Sequence, residues 1–252
     1  MNSPRQPRFS IVTVTYNAGN VLESTLLSVI RQTYPYIEYI IIDGGSTDGT
    51  LNIIDTYKAS LACVISEPDK GLYDAMNKGI REATGDYICF LNAGDTFHTN
   101  HTLQQIVDSI RGSSGQFPDI LYGETAIVDS KRNFLYMRGL SAPETLTWKS
   151  FKQGMLVCHQ AFFVNTGLVE SYDLQYRFSS DFDWCIRMLK KAKHIHNTHL
   201  ILIDYLKEGM TTQNHKASLK ERFRIMVKYY GWTSTILHHA WFIVRLLFKP
   251  EK

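Results

Sequence analysis

The sequence predicts an α/β fold whose first half is a parallel sheet flanked by helices. Between residues 9 and 91, apolar β-branched runs alternate with segments of helical period, which is the signature of strand–helix–strand units. Polar turns also recur just after the strand runs, carrying Tyr16 and Asn17, then Asp43, then Asp69 and Lys70, then Asp95. Ligands of such sheets bind beyond the carboxyl ends of the strands, so these turns should share one rim.

Taken in order, Phe9 to Thr15 is a β-branched run without strict alternation, as for a strand covered on both faces. Asn20, with Glu23 three residues on, reads as the N-cap of a helix whose Leu22, Leu26, Val29 and Ile30 share a face. Tyr39 to Ile42 is a second buried strand, and Thr47 to Lys58 a helix through Leu51, Ile53 and Ile54. Ala62 to Ile65, Tyr73 to Ala83 and Tyr87 to Leu91 read as strand, helix and strand. Past residue 115 the alternation fades. Ile120 to Tyr122 and Thr125 to Val128 read as strands, with Phe134 to Arg138 as a pairing partner. His159 to Val164, then Phe178 to Asp181 and a helix from Phe182 to Lys191, complete this half. No repeat or long linker divides the chain, so the halves should share a core.

At 252 residues, with 44% hydrophobic and 20% charged residues, the chain can bury a full core and is not a disordered protein. Residues 1–8 form a polar tail without an apolar signal core, which points away from secretion. Cys63, Cys89, Cys158 and Cys185 are widely spaced and read as free thiols of a reducing compartment. Gly44 and Gly49 have the outer spacing of a P-loop, but Thr50 and Leu51 stand where it needs Lys and Ser/Thr. The dinucleotide glycine fingerprint is absent as well. His194, His196 and His199 have no clear ligand spacing and read as core or surface residues.

The segments Val12–Asn17, Ser28–Thr33, Asp43-Gly-Gly-Ser-Thr-Asp-Gly-Thr50, Gly85–Leu91 and Asn92-Ala-Gly-Asp95 together resemble inverting glycosyltransferases of family 2. The stretch Ser66-Glu-Pro-Asp-Lys-Gly-Leu-Tyr-Asp-Ala-Met-Asn-Lys-Gly79 is most similar to members that build bacterial exopolysaccharide, capsule or O-antigen. The resemblance implies the GT-A fold, a Rossmann-like mixed sheet flanked by helices, over residues 9–212. Its nucleotide-sugar half would be 9–115 and its acceptor half 116–212. The implied reaction moves a sugar from a nucleotide-diphospho-sugar to a lipid-linked glycan. Carried over by position, Thr15, Tyr16 and Asn17 would line the nucleotide pocket and Asp43 would hold base or ribose. Asp95 would reach a Mg2+ or Mn2+ ion on the donor diphosphate, although Asn92 and Gly94 stand where many members have acids. Asp181 would be the general base, with Asp183 as second choice. His159 and Gln160 would line the acceptor or donor-sugar site, Asp69 would contact base or sugar, and Lys70 a phosphate. Lys207 to Thr212 is a candidate lid hinged at Gly209.

Two other readings stay open. A sugar-phosphate nucleotidyltransferase would carry a glycine- and arginine-rich loop after the first strand, and Tyr16-Asn-Ala-Gly19 lacks it. A degenerate relative would bind nucleotide or a partner without turnover. No nucleic-acid partner is implied.

The net charge of +3 hides an asymmetry. From Lys216 onward eight basic residues face only Glu221 and Glu251, so a +6 tail follows a body of −3. Residues 213–252 are expected to form an amphipathic helical tail, with Leu219, Phe223, Met226, Val227 and Tyr230 on one helix face and Lys220, Arg222, Arg224 and Lys228 on the other. Ile236 to Phe248 is a second, short apolar run containing Trp241. Residues 219–249 would lie on anionic lipid, pack on the domain or join a homodimer. The expected location is the cytoplasm, peripheral on the inner face of the membrane.

Overall fold

The computed structural model describes residues 6–111, 117–207 and 215–247. The strands are β1 (Phe9–Thr15), β2 (Ile37–Asp43), β3 (Cys63–Ser66), β4 (Tyr87–Phe90), β5 (Thr96–Phe97), β6 (Ile120–Val128), β7 (Phe134–Met137), β8 (Phe162–Asn165) and β9 (Ile195–Leu206). The helices are α1 (Leu22–Ile30), α2 (Thr50–Thr56), α3 (Leu72–Glu82), α4 (Thr102–Ile110), α5 (Ser180–Lys191), α6 (His215–Tyr230) and α7 (Trp232–Leu247). The sheet order is β3-β2-β1-β4-β8-β6-β9-β5, with β7 on β6. The first four strands are mutually parallel, and β8 joins antiparallel to both β4 and β6. The result is one mixed sheet with a continuous core through both halves.

The β-branched run of β1 is buried at every position, which explains its lack of alternation. The start of α1 differs from expectation. Val21, not Asn20, precedes the helix, and no side chain caps it. The Ala18 carbonyl accepts from both Val21 and Leu22 N–H, so a backbone turn closes the helix entry and Asn20 stays exposed. Likewise the two strands expected within 120–128 are one, β6, whose register shifts around Gly123. A Cβ there would lie 2.6 Å from the Leu200 carbonyl oxygen, so only glycine lets β9 run past. Thr47 to Gly49 form a turn, and α2 starts only at Thr50.

Helix α3 ties the halves together. Its Asn77 side chain accepts from Tyr172 N–H at 2.7 Å and donates to the Tyr172 carbonyl at 3.0 Å. Lys78, 7% exposed, reaches the Pro68 carbonyl at 3.1 Å and Glu67 at 2.8 Å, closing the loop ahead of the helix.

The C-terminal segment is a helical hairpin turned at Gly231, whose φ of +78° suits glycine. Helix α6 packs on the domain through most of the expected face, with Phe223, Val227 and Tyr230 partly buried. Ile225 and Met226 are buried while Leu219 is 46% exposed. Tyr230 stacks on Trp148, with ring centroids 5.6 Å apart. Lys228, expected on a free polar face, instead pairs with buried Asp183 at 2.9 Å, because a carboxylate out of water needs a cation. Phe223 fills the space between the helices against Trp232 and His239. Helix α7 leaves Trp232, Ile236, Leu237, Trp241 and Val244 exposed along one stripe. No helix among the described residues is long and apolar enough to cross a membrane. The tail's last cations, Lys249 and Lys252, lie outside the described residues, as does residues 208–212 of the candidate lid.

Helix α3 approaches β1 so closely that a Cβ on Gly79 would sit 2.4 Å from Val12 Cγ1. Gly79→Ala is therefore expected to destabilise the protein by about 1–3 kcal/mol through overpacking, read by equilibrium urea denaturation.

Candidate active site

The rim begins where β1 and β2 end. Asp43, fully buried, accepts from Gly45 N–H, Ser46 N–H, Ser46 Oγ and Ser66 Oγ at 3.1, 2.9, 2.5 and 2.7 Å. Four donors occupy the acceptor capacity of a carboxylate. These bonds hold Asp43 within the turn, which it shapes. Asn17, at φ 47°, accepts from Thr47 N–H at its Oδ1 and donates its own N–H to Ser46 Oγ, pinning the β1 turn to the β2 turn.

What the turn exposes is a slot. Tyr16 is 63% exposed, and a Cβ on Gly44 would fall 3.3 Å from the Tyr16 ring and 2.5 Å from Asp69 Oδ2. A bare glycine backbone thus separates an aromatic ring from a carboxylate oxygen, geometry that suits a flat heterocycle with an N–H. The other oxygen of Asp69 accepts from Gly71 N–H at 2.7 Å. Lys70 has an exposed side chain, and its N–H donates to Asp74 at 3.0 Å.

Asp95 follows β4 in a turn closed by its N–H on the Asn92 carbonyl. It is 5% exposed, its Oδ1 accepts from Leu206 N–H at 3.0 Å, and its Oδ2 accepts from Gln160 Nε2 at 2.7 Å. Desolvation outweighs these two bonds and the Arg132 charge, pushing its pKa up to about 7. The Asn92 Oδ1 atom of the same turn is buried without a hydrogen-bond partner. An orphan amide oxygen and an under-compensated carboxylate are hard donors that fit a divalent cation completed by diphosphate and water. Among the described residues no group of three or more His, Cys, Asp or Glu gathers as a metal cage, so such an ion would lean on its substrate.

The opposite wall comes from the second half. Asp181 lies in the first turn of α5, which begins one residue before it, at Ser180, rather than at Phe182 as expected. Its Oδ1 accepts from Tyr73 OH at 2.9 Å and from Phe182 N–H at 2.9 Å. Its Oδ2 lies 3.6 Å from His159 Nδ1. Burial holds His159 neutral by lowering its pKa, against the opposing pull of Asp181. His159 Nε2 and Thr15 Oγ1 are further buried polar atoms without partners. These atoms retain hydrogen-bonding capacity that the chain itself does not use.

Gln160, adjacent to His159, bonds Asp95. Its amide must point Nε2 at that acceptor, leaving Oε1 to receive the Cys158 thiol at 2.7 Å. Asp183 faces elsewhere: it is fully buried and held by Arg187, Lys228 and Tyr229 at 2.7, 2.9 and 2.8 Å, which lower its pKa against desolvation. Its Oδ2 is bonded to Arg187 of α5 and its Oδ1 to Lys228 and Tyr229 of α6. Two residues were missed from sequence, Tyr73 and Asn77. Their spacing of four on a helix facing the second half was the available signal.

A parallel nucleotide-type half, a carboxylate turn at its rim and a second carboxylate from across the cleft define a glycosyltransferase of GT-A-like fold. Residues 10–167 match the model of glycosyl transferase family 2, and the chain belongs to that family. It is 32% identical over 210 residues to a PGL/p-HBAD biosynthesis glycosyltransferase of Mycobacterium bovis, covering 81% of this chain and 78% of that one. It is 26% identical to TuaG of Bacillus subtilis, whose name places it among teichuronic acid biosynthesis glycosyltransferases, covering 86% and 87%. Among solved structures, S. aureus TarS 1–349 in complex with UDP-GlcNAc aligns with TM-score 0.67 at 19% identity, covering 87% of this chain and 64% of that one. In another TarS structure this chain spans 42% of the length. The mannosyltransferase PcManGT of Pyrobaculum calidifontis, in complex with GDP-Man and Mn2+, aligns with TM-score 0.61 at 14% identity, covering 98% and 77%. At these identities the structures establish the fold.

Replacing Asp183 by Ala removes the buried acceptor of Lys228 and Tyr229 and one of the two carboxylates on Arg187, and is expected to cost about 1–3 kcal/mol in urea denaturation. The buried His159 ring takes up a proton less readily than the unfolded one, so its contribution is complete above about pH 6.5 and is lost as pH falls below that value. His159→Gln should narrow the stability gap between pH 7 and pH 5, measured by thermal denaturation at each pH.

Proposed function

We propose that the protein is an inverting glycosyltransferase passing a sugar from a nucleotide-diphospho-sugar to an acceptor hydroxyl, with Asp181 as general base. One observation carries this reading: the adjacent residues His159 and Gln160 lie 3.6 Å from Asp181 and 2.7 Å from Asp95, so one dipeptide brings the two carboxylates together. The acceptor hydroxyl proton passes to Asp181 Oδ2, the oxygen not bonded to Tyr73. The hydroxyl oxygen attacks the anomeric carbon from the face opposite the diphosphate. The bond to the phosphate oxygen breaks, and nucleoside diphosphate leaves with its electron pair.

Tyr16, Gly44 and Asp69 form the base slot, with Thr15 beside them, while Lys70 stands at the rim for phosphate. Asn92 and Asp95 would hold a Mg2+ or Mn2+ ion, which when bound neutralises charge growing on the leaving diphosphate. The relatives named for PGL/p-HBAD and teichuronic acid biosynthesis support a growing bacterial surface glycan or glycolipid as acceptor. A lipid-linked acceptor places the enzyme on the inner face of the cytoplasmic membrane, where the exposed stripe of α7 and the exposed Lys216, Lys220 and Arg224 of α6 suit anionic lipid.

Asp181→Asn is expected to lower transfer by about 10²–10⁴-fold while UDP binding persists; wild-type-like turnover would remove Asp181 from the base role. Asp95 must shed its proton to hold a cation. Mn2+ affinity measured calorimetrically with UDP present should therefore be constant above about pH 7 and fall roughly tenfold per unit below it. Asp95→Ala should abolish that binding.

A further inference from the structure

Strand β7 presents Phe134, Leu135, Tyr136 and Met137 to solvent at 59, 38, 45 and 38% exposure, so both of its faces are open and apolar. Uncovered apolar edges are usually blunted by charge, because their free backbone groups invite pairing.

The location of this edge follows from the pairing of β6. That strand holds β9 along one side from Ile120 to Val128. On its other side it holds β8 along Ile120–Tyr122 and β7 along Ala126–Val128. Strand β7 therefore stands directly above β8 in the sheet. Its unpaired edge faces the space beyond the carboxyl end of β4, where the Asp95 turn lies.

Both ends of β7 are anchored to the site. Before it, Arg132 donates from Nη1 to the Gly94 carbonyl at 2.7 Å and from Nη2 to Ser24 Oγ. Its left-handed backbone, φ 67°, is held by Asp129, whose carboxylate accepts from Lys131 and Asn133 N–H. After it, Arg138 donates to the Met155 and Leu156 carbonyls at 2.6 and 3.2 Å, just ahead of Cys158 and His159. Arg138 is bonded to carbonyls, and Arg132 to the Gly94 carbonyl and Ser24 Oγ. Strand β7 itself offers rings and hydrocarbon, with the Lys207 ammonium 5.9 Å from the Tyr136 ring centroid.

We infer that the β7 edge is the docking surface for the hydrocarbon anchor of the acceptor, laid along Phe134–Met137 while the sugar end reaches Asp181. The inference rests on the glycosyl transfer proposed above and adds the place and chemistry of the acceptor's apolar part. A second copy of the chain is disfavoured as occupant, because pairing along this edge would bring it into the mouth of the cleft.

Hydrogen–deuterium exchange of peptides spanning 130–140 tests it, on the full chain with UDP and Mn2+, using methyl and decyl β-D-glucopyranoside as probes with the decyl compound below its micelle concentration. Protection by the decyl glucoside at a concentration at least tenfold below any effect of the methyl one is expected. The Phe134→Ser/Tyr136→Ser variant should lose that protection while keeping its melting temperature and UDP affinity. Equal responses to both glucosides, no response to either, or protection that grows with protein concentration alone would each overturn the inference. Failure of the function reading registers separately, as absence of UDP binding and donor hydrolysis in the parent protein.

Discussion

The site depends on one buried dipeptide. His159 and Gln160 form a short 3-10 turn at the head of β8, at the seam where the parallel half of the sheet meets the antiparallel half. Consecutive side chains there serve opposite walls: Gln160 holds the carboxylate that follows β4, and His159 faces the one that opens α5. The turn is itself braced, since Cys89 Sγ donates to the Gln160 carbonyl and Cys158 Sγ to its amide oxygen. The spacing of the two walls is thus set by sheet packing rather than by a mobile loop.

The contrast between Asp95 and Asp183 shows how burial sorts carboxylates into roles. Each is nearly or wholly removed from water. Asp183 receives two cations and a phenol, so its charge is satisfied and it fastens α6 to the domain. Asp95 receives only two neutral donors and a more distant guanidinium, which leaves its charge under-compensated and ready for a cation. A carboxylate fully satisfied by its own chain has little left to offer a substrate. Asp43, with four donors from its own chain, is satisfied in the same way.

The two apolar surfaces differ in what surrounds them. The stripe on α7 belongs to a helical hairpin with exposed cations on α6, an arrangement for a charged plane. The edge of β7 is anchored by arginines bonded to backbone carbonyls and to Ser24, on the side of the sheet where the Asp95 turn lies. A lipid-linked substrate would meet both, the first as its membrane and the second as its own chain.

Much of the fold was legible locally. The β-branched runs of β1 and β2, the helical period of α3 and the order of the polar turns placed a sheet, its rim and the turn carboxylate Asp95, while Asp181 was singled out by the resemblance to family 2 glycosyltransferases. The entry of α1 was not legible, because a backbone turn at Ala18 replaced the side-chain cap that Asn20 suggested. Nor was the pairing of Lys228 on α6, since it depends on a buried Asp183 contributed by another helix. By itself, then, the sequence determined which residues lie at strand ends, because period and turn chemistry are local. Only the tertiary structure decided which carboxylates face the cleft, because solvation and partners come from segments distant along the chain: Ser66 for Asp43, Gln160 and Leu206 for Asp95, Tyr73 for Asp181, and Lys228 for Asp183.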